Sequence, residues 1–174
     1  CALYDNMIYG LVAPGYNMAD VVAKKLLGQE SEFRGADMST KLKLLGTDVG
    51  SFGQIEEVAG ESRAITINDT HAGIYQKLVV TLDGSKLLGG VLVGDASRYG
   101  NLLQIYQNEL ALPPEPVQLI LPNTDPSASV GGGVEALPDT AQVCSCEAVT
   151  KGDICCAVEA GASTISDLKS CTKA

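Results

Sequence analysis

A chain of 174 residues, 45% hydrophobic and 19% charged, has room for one ordinary domain or two small ones and is too apolar for global disorder. Its net charge of −9, with Lys and Arg spread thinly, lacks the positive footprint that phosphate-backbone binding needs, so nucleic acid is not an expected partner. No apolar run approaches the ~20 residues that span a bilayer and no basic-then-apolar leader opens the chain, so neither a membrane nor secretion is expected.

In chain order, the run Ile8-Tyr9-Gly10-Leu11-Val12-Ala13-Pro14-Gly15 leads into a helical pattern from about Asn17, a residue type that caps. Ala19, Val22, Ala23, Leu26 and Leu27 recur at three- and four-residue spacing before Gly28 stops the helix. Residues 29–38 are polar. Strand-like runs follow at 41–45, 63–67, 74–81 and 87–93, the last two joined by the hairpin signal Asp83-Gly84. A helical stretch over 97–110 offers Leu102, Leu103, Ile105 and Tyr106 as an apolar face. The pattern predicts an α+β fold, with a small antiparallel sheet of three or four strands flanked by helices.

Residues 113–142 hold six of the seven prolines and the triplet Gly131-Gly132-Gly133, a composition that reads as a linker without packed elements. Beyond it Cys144-Ser145-Cys146 sits in a loop. Thr150 or Asp153 starts a helix running to about Ala160, and Gly161 ends it. Ser163 or Thr164 caps a second short helix over 165–171. Such a helix–turn–helix is too small to bury a stable core without a staple, which a metal cluster would supply.

Five of the six cysteines fall from Cys144 onward. Crowding at one end, with a Cys-x-Cys pair, suits a reduced cytosol and a metal cluster better than a secreted disulfide scaffold. Two thiolates two residues apart can grip one metal atom, although two small buried thiols or a redox pair have the same spacing. A [2Fe–2S] cluster needs four ligands. Cys155 shares a helix face with Ile154, Val158 and Ala162 and reads as a core thiol, while Cys156 points elsewhere on a helix interior. Cys171, ending the second helix, is the better in-chain third ligand; the preferred reading places two ligands beyond Ala174. His71 has no nucleophile beside it and reads as a solvent-exposed loop residue. Gly94-Asp95 imitates the strand-ending Gly-Asp of flavin sites, but a strand-to-helix turn with Asp95 near a helix N-terminus explains it more simply. Neither a G-x-G-x-x-G nor a Walker A fingerprint is present.

Three stretches carry a family resemblance. Residues Tyr9-Gly10-Leu11-Val12-Ala13-Pro14-Gly15-Tyr16 resemble the segment after the last FAD motif of the NAD(P)H-dependent nitrite reductase large subunits. Phe33-Arg34-Gly35-Ala36-Asp37-Met38-Ser39-Thr40-Lys41-Leu42-Lys43 is similar to the same family's entry into its interface domain. Val143-Cys144-Ser145-Cys146, Lys151-Gly152-Asp153-Ile154-Cys155 and Leu168-Lys169-Ser170-Cys171-Thr172-Lys173-Ala174 resemble its [2Fe–2S] module, which is related to bacterioferritin-associated ferredoxin (BFD).

The resemblance implies the tail of an FAD-binding domain over 1–36 and an interface-like domain of the pyridine nucleotide-disulfide oxidoreductase class over 37–112. The linker at 113–142 then leads to a truncated BFD-like unit over 143–174. It implies Tyr16, Asn17, Met18 and Ala19 near the flavin, and Cys144 and Cys146 as two cluster ligands. In the family a Cys-x-x-Cys pair follows the position of Ala174, and Cys171 matches a cysteine that is not a ligand. The parent enzyme would use FAD, NAD(P)H, [2Fe–2S], sirohaem and [4Fe–4S] in the cytoplasm. Its partners would be the rest of the polypeptide and a nitrite reductase small subunit, with a homodimer as a further option. Cys1 in place of an initiator Met, and the polar tail, suggest a piece of something longer that is inactive by itself. Two other readings stay open: an electron-transfer component serving a nitrate reductase or a rubredoxin-type carrier, and a non-catalytic docking or dimerisation module.

Overall fold

The computed structural model describes residues 3–121, 134–144 and 147–173. The chain divides into two units, Cys1–Met38 and Ser39–Ala174.

The first unit opens with a hairpin of β1 (Leu3–Tyr4) and β2 (Met7–Ile8). Its turn residues Asp5 and Asn6 sit at φ 47° and 59°, the left-handed pair a two-residue turn requires and which short polar side chains tolerate. The Phe33 ring is met edge-on by Tyr4 and Tyr9, at centroid distances of 5.0 and 5.3 Å. Helix α1 spans Val12–Leu26 and so begins five residues before the expected Asn17. Pro14 lies in its first turn, where a missing N–H breaks no helical bond, so the Pro-Gly pair does not delay the helix. The N-cap is Leu11, with no side-chain cap bond; Asn17 lies inside the helix. Pro14 is buried and Met18 and Val21 half-buried on one side, while Val12, Tyr16, Val22 and Leu26 are exposed. At the C-terminal end Gly28 takes φ +73°, as the sequence predicts for the stop.

The second unit is built on five antiparallel strands: β3 (Thr40–Leu44), β4 (Thr47–Gly53), β5 (Ser62–Asp69), β6 (Ile74–Thr81) and β7 (Leu87–Gly94). Their order is β3-β4-β7-β6-β5. Four of them match the expected runs; β4 is the addition. Its sequence, Thr-Asp-Val-Gly-Ser-Phe-Gly, has little strand propensity, and it is a strand because β3 and β7 hydrogen-bond it on both sides. Gly50 is required in it: a Cβ there would lie 2.5 Å from the Tyr99 ring. The β6–β7 hairpin turns at Asp83-Gly84 as expected, with Gly84 at φ +75°.

Helix α2 (Tyr99–Gln107) covers one face of this sheet and buries Tyr99, Leu102 and Ile105 against Phe52, Leu78, Val80 and Leu92. The segment expected to be an unpacked linker contributes to the same core. Pro116–Leu119 forms a 3₁₀ turn, and Leu119 and Ile120 are 2% and 3% exposed. The density of prolines masks the apolar run Val117-Gln118-Leu119-Ile120, which can fold back because prolines precede it and do not interrupt it. The glycine triplet falls outside the described residues.

The chain then forms a short ladder, β8 (Gln142–Cys144) with β9 (Val149–Thr150), and two helices, α3 (Lys151–Glu159) and α4 (Ile165–Thr172). Both helices open with a full capping box, Thr150 with Asp153 and Thr164 with Asp167. Gly161, at φ +109°, ends the first, as read from the sequence. Neither helix buries a residue.

Candidate cluster-binding and flavin-side residues

Cys144 ends β8 and is half-buried. Its strand is tied down by Gln104 of α2, whose Nε2 donates to the Gln142 carbonyl at 2.8 Å. The N-terminus of α3 is fixed nearby, since Lys151 and Gly152 donate their N–H groups to the Ala141 and Asp139 carbonyls, both at 2.8 Å. The Lys151 ammonium reaches the Leu137 carbonyl at 2.7 Å. These bonds hold the approach to the cysteine loop although the helices beyond it lack a core. Cys146 lies outside the described residues.

The other thiols depart from expectation. Cys155 is exposed, not a core thiol. Among the described residues no layer packs on the face it shares with Val158, so periodicity alone does not bury it. Cys156 is also exposed. With Cys171, Asp153 and residues 147–149 it lines an open groove of about 490 Å³ between α3, α4 and the end of the loop. The sequence did not point to this groove. Its one prior signal was the Thr150-x-x-Asp153 capping pattern, which places Asp153 at the start of α3. Among the described residues no group of three or more Cys, His, Asp or Glu could hold a metal ion. The described thiols therefore do not form a complete four-thiolate cage.

Tyr16, Asn17, Met18 and Ala19 sit in the second turn of α1, where their backbone N–H groups are used within the helix. Anything they offer a flavin comes from side chains: Tyr16, Asn17 and Ala19 are exposed and Met18 is half-buried.

Gly94-Asp95 is a turn. Gly94 takes φ +86°, and Asp95 accepts the Ser97 N–H at 2.9 Å. Hydrogen bonds from the Ser97 side chain and backbone hold the Asp95 carboxyl below the ordinary aspartate range, helped by Arg98 and Lys41. The backbone carbonyl of Asp95 accepts from buried Gln76 at 3.1 Å, so the element closes the sheet. His71 is exposed in the β5–β6 turn, its N–H on Asp69 Oδ1 at 3.0 Å, as a loop histidine should be. No helix among the described residues is long and apolar enough to cross a membrane.

Comparison with known proteins supplies what this partial geometry leaves open. The nitrite reductase [NAD(P)H] large subunit of Klebsiella oxytoca is 53% identical over all 174 residues, which cover 18% of its length. The nitrite reductase (NADH) large subunit of Escherichia coli K12 is 49% identical, again over the whole chain and 20% of its own length. The chain is homologous throughout to the NAD(P)H nitrite reductase large subunit. Within it, residues 39–110 match the Rubredoxin NAD+ reductase C-terminal domain family. That match coincides with the sheet and α2, and stops before the segment holding the cysteines. The assimilatory nitrate reductase electron transfer subunit of Bacillus subtilis is 35% identical, with the chain covering 22% of it. The chain thus spans about a fifth of the length of the nitrite reductase large subunits it matches.

Proposed function

We propose that this chain serves as a flavin-side, interface and electron-transfer segment of an NAD(P)H-dependent nitrite reductase large subunit, an enzyme that converts nitrite to ammonia in the cytoplasm. The observation that carries the proposal is the 53% and 49% identity extending over every residue, cysteine segment included. In this reading residues 1–36 belong to the FAD-binding domain, 37–112 form the interface domain and 143–174 belong to a BFD-like unit. FAD and NAD(P)H bind through the nucleotide-binding domains of the parent polypeptide, with Tyr16, Asn17, Met18 and Ala19 on the flavin side. Sirohaem and [4Fe–4S] belong to the parent's reduction site, and a small subunit is its partner.

Cys144 and Cys146 supply two of the four thiolates of a [2Fe–2S] cluster, and the other two come from chain beyond Ala174. The identity to nitrite reductase large subunits, which runs through the cysteine segment, supports this division of ligands. Iron and acid-labile sulfide, measured anaerobically on this chain and on one extended by about 20 residues, test the division. Iron in the extended form alone, lost on Cys144→Ser, is the expected result. Two irons bound by the 174-residue chain would place all four ligands inside it and overturn the assignment.

The Bacillus subtilis electron-transfer relative favours a second reading, in which the same segment serves a nitrate reductase. Sirohaem in the purified parent polypeptide separates the two, since a purely electron-transferring subunit has no use for it.

A further inference from the structure

We infer that Gln104, oriented by Asn108, is a positioning residue that holds the cysteine-bearing strand β8 in register on helix α2. The inference rests on the proposed reading of Cys144 as a cluster ligand. Gln104 lies inside the segment matched at 39–110 and Gln142 lies outside it. Their 2.8 Å bond therefore crosses 38 positions of sequence to join the sheet domain to the cysteine segment. Cys144 stands two residues beyond Gln142 on the same strand, about 7 Å along it.

The chemistry of the two ends fixes which way both amides face. A backbone carbonyl only accepts, so the Gln104 carbonyl at one end and the Gln142 carbonyl at the other each require an N–H. Asn108 caps the C-terminal end of α2, and its Nδ2 donates to the Gln104 carbonyl at 2.9 Å. The second hydrogen of Nδ2 goes to Gln104 Oε1 at 3.1 Å. With Oε1 so engaged, Nε2 is the end of the Gln104 amide that meets Gln142. Reversing either amide would set oxygen against oxygen, so donors and acceptors alternate in one direction only.

This relay matters because the helices that follow the cysteine loop supply no apolar seat: neither α3 nor α4 buries a residue. Helix α3 is joined instead to the residues leading into β8. The Lys151 and Gly152 N–H groups bond the Ala141 and Asp139 carbonyls, and the Lys151 ammonium bonds the Leu137 carbonyl. Fixing Gln142 on α2 therefore fixes the start of α3 as well. Electron transfer weakens steeply as donor and acceptor separate, so a segment that carries ligand thiolates needs a fixed seat on the domain beside it. Loss of one hydrogen bond of ordinary net strength shifts the equilibrium between seated and lifted strand by about fivefold.

Hydrogen–deuterium exchange of the complete, cofactor-loaded large subunit tests the inference. Gln104→Met, which keeps the length and removes the donor, should speed exchange across 142–152 by about fivefold and leave β6 and β7 unchanged. Gln104→Lys, which keeps a donor of similar reach, should exchange at the wild-type rate, and Asn108→Ala should fall between the two. Turnover gives a second readout. In Gln104→Met the kcat for nitrite should fall at unchanged KM. Ferricyanide reduction by NAD(P)H, which draws electrons from the flavin, should hold at the wild-type level, as should the paramagnetic resonance signal of the dithionite-reduced [2Fe–2S] centre. The inference is overturned if exchange across 142–152 in Gln104→Met equals wild type, if Gln104→Lys behaves as Gln104→Met, or if the ferricyanide rate or the [2Fe–2S] signal falls with nitrite reduction. A wild type without that signal but with the exchange pattern intact would overturn the cluster assignment and still support the seat.

Discussion

Leu92 is the residue whose truncation can be worked most directly from the structure. It lies on the central strand β7 opposite Gly50 and Gln76, with no exposed surface. Leu92→Ala removes three buried carbons, about 2.4 kcal/mol of transfer free energy at roughly 0.8 kcal/mol each. Gly50 brings no side chain to fill the space, and the Phe52 and Tyr99 rings are held edge-on at 6.0 Å, so the site collapses poorly. A residual void of about 50 Å³ adds on the order of 1.2 kcal/mol, for a total near 3.5 kcal/mol. Urea unfolding followed by far-ultraviolet circular dichroism should show the unfolding free energy falling by this amount, with the slope unchanged and the midpoint lowered by the loss divided by that slope. Leu45→Ala is the counterpart: this leucine is 99% exposed at the turn and should move stability by less than about 0.5 kcal/mol. A Leu92→Ala loss below about 1 kcal/mol would refute the assignment of Leu92 to a rigid core.

Thr150→Ala should destabilise the α3–α4 pair by about 1 kcal/mol, because with no residue buried on either helix the caps carry much of its order. Amide exchange across 150–172 should accelerate while β6 and β7 stay protected, and Thr150→Ser should restore most of the loss. The same caps set a pH dependence. Hydrogen bonds from the Thr150 backbone and side chain hold the Asp153 carboxyl low, and the Thr164 side chain with the Ser163 and Thr164 N–H groups does so for Asp167. A depressed carboxyl pKa contributes stability above the unfolded value, lost as pH falls through the folded one, so the helix pair should loosen below about pH 4. Carbon-13 titration of the two carboxyls, with Asp153→Asn to flatten the response, checks this; a midpoint at or above the ordinary aspartate value would contradict it. Gly94→Ala would drive a Cβ into the Gly73 carbonyl oxygen at a backbone φ of +86°, and should cost about 2 kcal/mol in the same urea assay.

Much of the architecture was legible in the residues. The hairpin at Asp83-Gly84, the apolar face of α2 and both short helices with their caps follow from local chemistry, because turns, caps and periodic faces depend on neighbours three or four positions away. The misses share a cause. Strand β4 has weak propensity and exists through its two partners; Leu119 and Ile120 sit among prolines and pack because a distant sheet offers a face; Cys155 lies on an apolar stripe that no layer among the described residues covers. The Cys-x-Cys spacing singled out Cys144 and Cys146, yet spacing could not say which other thiols approach them.

What the sequence by itself determined is the set of locally encoded elements and, through identity along the whole chain, the homology to the nitrite reductase large subunit. Tertiary structure alone decided that β4 completes a five-stranded sheet and that Cys156 and Cys171 line one groove. These outcomes depend on which surfaces meet across long sequence separations, and a contact between two distant segments is a property of the pair that neither segment encodes alone.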